Sequence, residues 1–130
     1  MSIDNNCDFF ISVHCNSTEG EDRATGFEDY YHKNLTGSKY IATCIHDCIV
    51  PFITIPDKGI KSDTVMYKSG YGVLRSASKE RVPCTLIETG FINHYIDREY
   101  LQTPEFKEIL GKGILNGIKT YLTAEHLNKE

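Results

Sequence analysis

At 130 residues, with 40% hydrophobic and 25% charged side chains and no tract of low complexity, the chain has material for one core, and residues 1–130 are read as a single domain. The net charge is −4 at pH 7 and the lysines and arginines are scattered, so no phosphate-tracking basic face is expected and nucleic acid is not an expected partner. No apolar run approaches the roughly 20 residues of a membrane span, and no N-terminal segment has signal-peptide form, so cytoplasmic synthesis and no membrane partner are expected.

In chain order, Asp8–His14 reads as a buried strand that ends on a histidine. Glu19–Thr25 is a charged loop. "GFEDYYH", Gly26–His32, reads as a second strand whose aromatics are ordinary strand residues. A helix follows, with Ser38 as its N-cap and Ile41, Cys44, Ile45, Cys48 and Ile49 on one stripe. Pro51 and Pro56 end it, and "PDKGIKSD" reads as a turn with Gly59 as pivot. "YGVLRS", Tyr71–Ser76, is expected to be a short strand. Lys79–Val82 is a charged connection to Pro83. "CTLIETGF", Cys84–Phe91, is a nearly all-apolar strand that also reaches a polar group, Glu88.

Asp97–Leu101 is expected to form a helical turn. Thr103 with Pro104 starts the last helix, whose stripe is Phe106, Ile109, Leu110, Ile114, Leu115, Ile118, Tyr121 and Leu122. The tail from Glu125 is expected to fray. Two all-apolar strands require a sheet covered on both faces, so the fold class is α/β, with a twisted, mostly parallel or mixed sheet. The five cysteines cannot all pair within the chain, and free, mostly buried thiols are expected.

Ligands in open α/β sheets bind beyond the carboxyl ends of strands. If the strands of His14 and Glu88 are parallel neighbours, an imidazole and a carboxylate meet at one rim. That pair suits a metal ligand with a general base, or a strand cap with a structural hydrogen bond. "CIHDC" has the look of a metal box. On a helix, however, Cys44 and Cys48 share the apolar stripe while His46 points about 200° away from Cys44. Two core cysteines and a surface histidine are expected there. Cys15 is adjacent to His14 and so faces the other side of the sheet, which makes a thiol–imidazole pair of the two unexpected. His32, His94 and His126 are expected at the surface.

Six ordered blocks, "DFFISVHCNS", "TGFEDYYH", "SKYIATCI", "DKGIK", "YGVLR" and "VPCTLIETGFINHYID", together resemble the zinc-dependent N-acetylmuramoyl-L-alanine amidases of autolysins, sporulation enzymes and phage endolysins. The resemblance spans residues 8 to about 122. It implies a cell-wall hydrolase acting on peptidoglycan, cleaving the amide between N-acetylmuramic acid and the L-alanine of the stem peptide. It implies zinc as cofactor, His14 as a metal ligand, Glu88 as the catalytic acid/base, and Asn16 and Asn93 as hydrogen-bonding residues that shape the substrate site.

The resemblance also implies a shortfall. The family's domain has an N-terminal part that carries two further zinc ligands, a histidine and a glutamate. No counterpart is seen ahead of the His14 strand, so the match is to the C-terminal two-thirds. One expectation is therefore an active amidase. The other is an inactive or split amidase-like module that binds peptidoglycan, self-associates, or takes its missing ligands from a complementary chain. A stand-in ligand set of His14 with His32 or Asp29 is not expected.

Overall fold

The computed structural model describes residues 6–127. Four strands, β1 (Phe10–Asn16), β2 (Phe27–Tyr31), β3 (Asp57–Ser62) and β4 (Cys84–Phe91), form one sheet in the order β1-β4-β2-β3. β1 runs parallel to β4, β2 antiparallel to β4, and β3 parallel to β2. The sheet is therefore mixed. Helices α1 (Thr36–Ile49) and α4 (Pro104–Leu127) cover one face, α2 (Gly72–Lys79) covers part of the other, and α3 (Tyr95–Leu101) follows β4. The α/β class expected from the two apolar strands is the one observed.

Period-2 alternation along β4 sorts the core into two layers. Ile87 packs with Phe27, Ile41, Ile45, Ile49 and Tyr121 on the α1/α4 side. Cys84 and Leu86 pack with Tyr30, Leu74 and Ala77 on the α2 side. β4 is buried along its whole length, as an interior strand covered on both faces should be. β1 lies at one end of the strand order, so its outer edge pairs with no strand among the described residues.

Several local expectations change. Residues 57–62, read as a turn, form β3. Gly59 does adopt φ +80°, but the ladder to β2 continues past it through a register shift. "YGVLRS" is helical: α2 begins at Gly72 and buries Leu74 and Ala77 at i, i+3, a spacing too brief to outweigh the strand propensity of Tyr and Val. Ser38 is not the cap of α1. That helix starts at Thr36 without a side-chain cap, and Ser38 is buried instead, its Oγ accepting from the Cys84 N–H at 2.8 Å.

The α4 stripe is also redrawn. Leu115 and Leu122 are exposed, and Gly113 and Gly117 face α1. A Cβ at Gly117 would lie 2.5 Å from Ile45 Cα, so the helices touch backbone to side chain where a leucine stripe would hold them apart. α4 continues to Leu127; fraying beyond that lies outside the described residues. Of the cysteines, Cys44 and Cys84 are buried, Cys48 is half-buried, and Cys7 and Cys15 are exposed.

His46 is the largest departure. It is 5% exposed, held between Asp29 Oδ2 at 2.7 Å and Asp57 Oδ1 at 2.9 Å. The helical-wheel angle from Cys44 placed it correctly relative to that stripe. The wheel did not reveal that β2 and β3 bring two carboxylates to the same place. His32 and His94 are half-buried rather than exposed, and the His126 side chain lies outside the described residues.

The clasp joins α1 to β2 and β3. Burial pushes the Asp29 carboxyl up to about 6, against the opposing pull of His46. The two carboxylates raise His46 above its ordinary value despite its burial. A histidine shifted this way stabilises the fold fully below its unfolded-state pKa, and that contribution is lost as pH rises through the folded-state value. His46→Ala is expected to cost about 3–5 kcal/mol in urea unfolding near pH 6, because a buried carboxylate is left without its partner. In NMR titration the His46 ring should titrate above 6.5, and Asp57→Asn should lower that midpoint.

Candidate active site

The register of the sheet places three side chains in one row. His14 of β1 is the Cα partner of Glu88 in β4, and Glu28 of β2 is the antiparallel partner of the same Glu88. Registered partners share a face, and Glu88 shares the parity of Cys84 and Leu86, so the row lies on the α2 side of the sheet. His14 is exposed, while Glu88 and Glu28 are 6% and 3% exposed.

The two carboxylates differ in their partners. Glu28 Oε1 accepts from Asn16 Nδ2 at 2.8 Å, and its Oε2 is paired with the Lys61 ammonium from β3. Glu88 Oε2 is buried with no hydrogen-bond partner among the described residues. Burial, and then the charge of Glu28, push the Glu88 carboxyl up to about 7. One carboxylate is thus held by a cation and an amide, while the other has one oxygen buried without a partner.

The rest of the row is similarly engaged. Ser12 Oγ and His14 Nε2 are hydrogen-bonded at 2.7 Å. Thr89 Oγ1 donates to the His14 carbonyl at 2.9 Å, beside the register shift between His14 and Asn16. Cys15 faces the other side, with its Sγ 3.5 Å from Thr89 Oγ1. Tyr71 packs on Tyr30 at 5.0 Å between ring centroids. Burial and the nearby Glu88 raise the Tyr71 hydroxyl to about 12.

Of the residues singled out in the sequence, His14, Glu88 and Asn16 come together at this rim. Asn93 serves the adjoining loop: its Oδ1 accepts from Thr18 N at 3.2 Å, and its Nδ2 donates to Thr18 O at 2.6 Å and Gly20 O at 2.5 Å. The same end of the sheet is tied by Asp97, which accepts from Thr25 Oγ1 and from the N–H groups of Gly26 and Phe91. Asp29 and His32 do not join His14, since Asp29 lies across the sheet in the His46 clasp.

Sequence reasoning missed Glu28, Lys61 and Tyr71. The available signal was the alternation of Glu28 with Tyr30, which puts both on one face. Which strand lies beside β2 was not available from that spacing. Among the described residues, no three histidine, cysteine, aspartate or glutamate side chains are arranged to hold a metal ion. One imidazole beside two carboxylates, one of them already paired with lysine, is an incomplete donor set for zinc.

Residues 1–120 match the family described as N-acetylmuramoyl-L-alanine amidase. The chain is 32% identical over 114 residues to the sporulation-specific N-acetylmuramoyl-L-alanine amidase of Bacillus subtilis (strain 168), covering 86% of this chain and 39% of that protein. It is 29% identical over 112 residues to the amidase CwlM of Bacillus licheniformis, covering 85% and 39%. Its fold matches the catalytic domain of the amidase CwlV from Bacillus (Paenibacillus) polymyxa var. colistinus with a TM-score of 0.79 at 26% identity, covering 94% of this chain and 62% of that one. An amidase from Clostridium difficile 630 matches with a TM-score of 0.79 at 28% identity, covering 92% and 60%. The chain thus spans about two-fifths of these two curated relatives and about three-fifths of the solved domains. The mixed sheet shared with these solved structures and the match over residues 1–120 lead to one conclusion: the chain belongs to the N-acetylmuramoyl-L-alanine amidase family.

Proposed function

We propose that this chain carries the acid–base half of a zinc-dependent peptidoglycan amidase, cleaving the bond between the lactyl group of N-acetylmuramic acid and the L-alanine of the stem peptide. The observation that carries the reading is Glu88: a buried carboxyl beside His14, with one oxygen unpartnered and a proton affinity raised to about 7. In hydrolysis Glu88 takes the proton of the attacking water and passes it to the leaving amine, the task of a general base that becomes a general acid. Glu28, fixed by Asn16 and Lys61, keeps that proton on Glu88 by like-charge repulsion. Asn93 shapes the entrance by holding the 17–20 loop against the end of β4.

If zinc bound here it would supply a water of lowered pKa, and His14 would be this chain's imidazole ligand. The donor set among the described residues stops short of the three protein ligands usual for catalytic zinc. That shortfall supports the second reading, in which the chain works as a peptidoglycan-binding or assembly module. It would then be completed by a second copy or by a complementary polypeptide supplying further ligands. The site of action in either case is the bacterial cell wall. Among the described residues no helix is long and apolar enough to cross a membrane.

Three outcomes are expected. First, Glu88→Gln should lower release of L-alanine peptides from purified cell walls by about 10²–10⁴-fold with the native circular-dichroism spectrum retained. A folded variant with the wild-type rate would refute the role given to Glu88. Second, the chain alone, dialysed against metal-free buffer, should retain well below one zinc per chain by atomic absorption, because a lone imidazole binds weakly. Full retention would point to donors outside the row.

Third, the raised pKa of Glu88 carries a stability cost of known sign. A carboxyl shifted upward stabilises below its unfolded value of 4.5 and loses that contribution as pH rises through about 7. Metal-free Glu88→Gln should therefore gain stability over wild type between those limits, and the gain should level off above them. Urea midpoints across that range check this.

A further inference from the structure

β3 places charged side chains on both faces of the sheet, and its pairing shows what that requires. Asp57 is the Cα partner of Phe27 and so lies on the α1/α4 side. Lys61 is the partner of Tyr30 and so lies on the α2 side. Yet the two are four residues apart, and residues an even number apart on a regular strand share a face. The face changes because β3 carries one residue more than β2 between the pairs Phe27–Asp57 and Asp29–Ile60. That extra residue is a β-bulge, and Gly59 sits in it at φ +80°. A Cβ there would meet no atom within 4 Å, so glycine serves the backbone angle and not a close approach. Paired from Asp57 without the bulge, Lys61 would turn toward α1 and Glu28 would lose its cation.

The bulge is held by a carboxylate. Asp57 Oδ1 accepts from the Gly59 N–H at 2.7 Å, a local turn that fixes the extra residue. The same oxygen accepts from His46 Nε2 at 2.9 Å, while His46 Nδ1 is bonded to Asp29 Oδ2 at 2.7 Å. The imidazole therefore ties the bulge of β3 to Asp29, the neighbour of Glu28 in β2. β3 has little else to keep this register. It stands at the end of the strand order, and β2 is its only strand neighbour among the described residues.

We propose that Asp57 and His46 are positioning residues for the site on the opposite face: by holding the Gly59 bulge they turn Lys61 onto Glu28. They thereby decide which of the two facing carboxylates has a cation. The link crosses the sheet through the backbone of β3, as a register and not as a chain of side chains. The inference rests on the acid–base reading above, in which Glu28 is the paired carboxylate and Glu88 the unpaired one, whereas its test involves no hydrolysis.

The full chain, ¹⁵N-labelled and without added metal, is studied by NMR near pH 6, where the His46 ring is protonated. The reporter is the Lys61 ammonium, assigned by its absence in Lys61→Arg. In wild type its ¹H–¹⁵Nζ signal should exchange slowly with solvent, as befits a cation paired with a buried carboxylate. The Asp57 side chain is 44% exposed, so Asp57→Ala is expected to fold. It should speed that exchange about tenfold or abolish the signal, and His46→Ala should do the same. Asp57→Asn keeps an acceptor oxygen for the Gly59 and His46 N–H groups and should stay within about twofold of wild type. Ile49→Val loosens the packing of α1 without touching the clasp and should leave the signal unchanged, which separates positioning from general stability. Four results would overturn the inference: no slowly exchanging Lys61 signal in wild type, an unchanged signal in folded Asp57→Ala, an Asp57→Asn as disruptive as Asp57→Ala, or an equal change in Ile49→Val. The role of Glu88 is read separately, by peptide release from Glu88→Gln, so either reading can fail while the other stands.

Discussion

The site depends on one constraint, the antiparallel pairing of β2 with β4. It sets Glu28 directly across from Glu88, and two carboxylates facing each other in a dry sheet cannot both be ionised without help. Lys61 and Asn16 help only Glu28. Glu88, on a strand with neighbours on both sides and cover on both faces, is left as the member whose carboxyl is pushed up. Had β2 paired one residue out of register, Asp29 would face Glu88 and Glu28 would point toward α1. The same slip would dismantle the His46 clasp. One register therefore serves both the site on one face and the joint to α1 on the other.

β2 concentrates this double duty into adjacent residues. Glu28 and Asp29 are both nearly fully buried and are each charge-paired on opposite faces, with Lys61 of β3 and with His46 of α1. β3 supplies a partner on each side as well: Lys61 to Glu28, and Asp57 to His46. The polar groups are distributed so that the two faces share no partner. Breaking a buried pair by removing one partner costs far more than the pair contributes relative to an apolar pair. The arrangement accordingly specifies how α1, β2 and β3 fit together more than it adds to stability.

What could be read in advance follows from the range of the interactions. β1, β4, α1 and α4 are long or strongly patterned, and their existence was legible from local alternation or helical spacing. The meeting of His14 with Glu88 was legible given parallel strands. β3 was not, because "DKGIK" has Gly59 in a left-handed conformation and too few apolar residues to declare a strand; its pairing with β2 stabilises it. α2 was not, because eight residues with two buried side chains carry little periodic signal. Glu28, Lys61 and the burial of His46 were hidden for a common reason: each depends on which strand lies beside β2, a property of topology with no local trace. Ser38 shows the converse, a residue with the chemistry of a helix cap that a tertiary partner, the Cys84 amide, claims instead.

The outer edge of β1 has a consequence of its own. Its seven residues, FISVHCN, carry no lysine, carboxylate or proline, the devices that usually discourage strand addition. His14 sits on that edge strand. An extended segment pairing there would be seated by main-chain geometry alone, and alternate side chains along it would arrive on His14's face of the sheet at strand spacing. The edge is thus a coordinate frame: it dictates where a neighbouring strand's donor groups stand relative to the imidazole before any metal or substrate has a say.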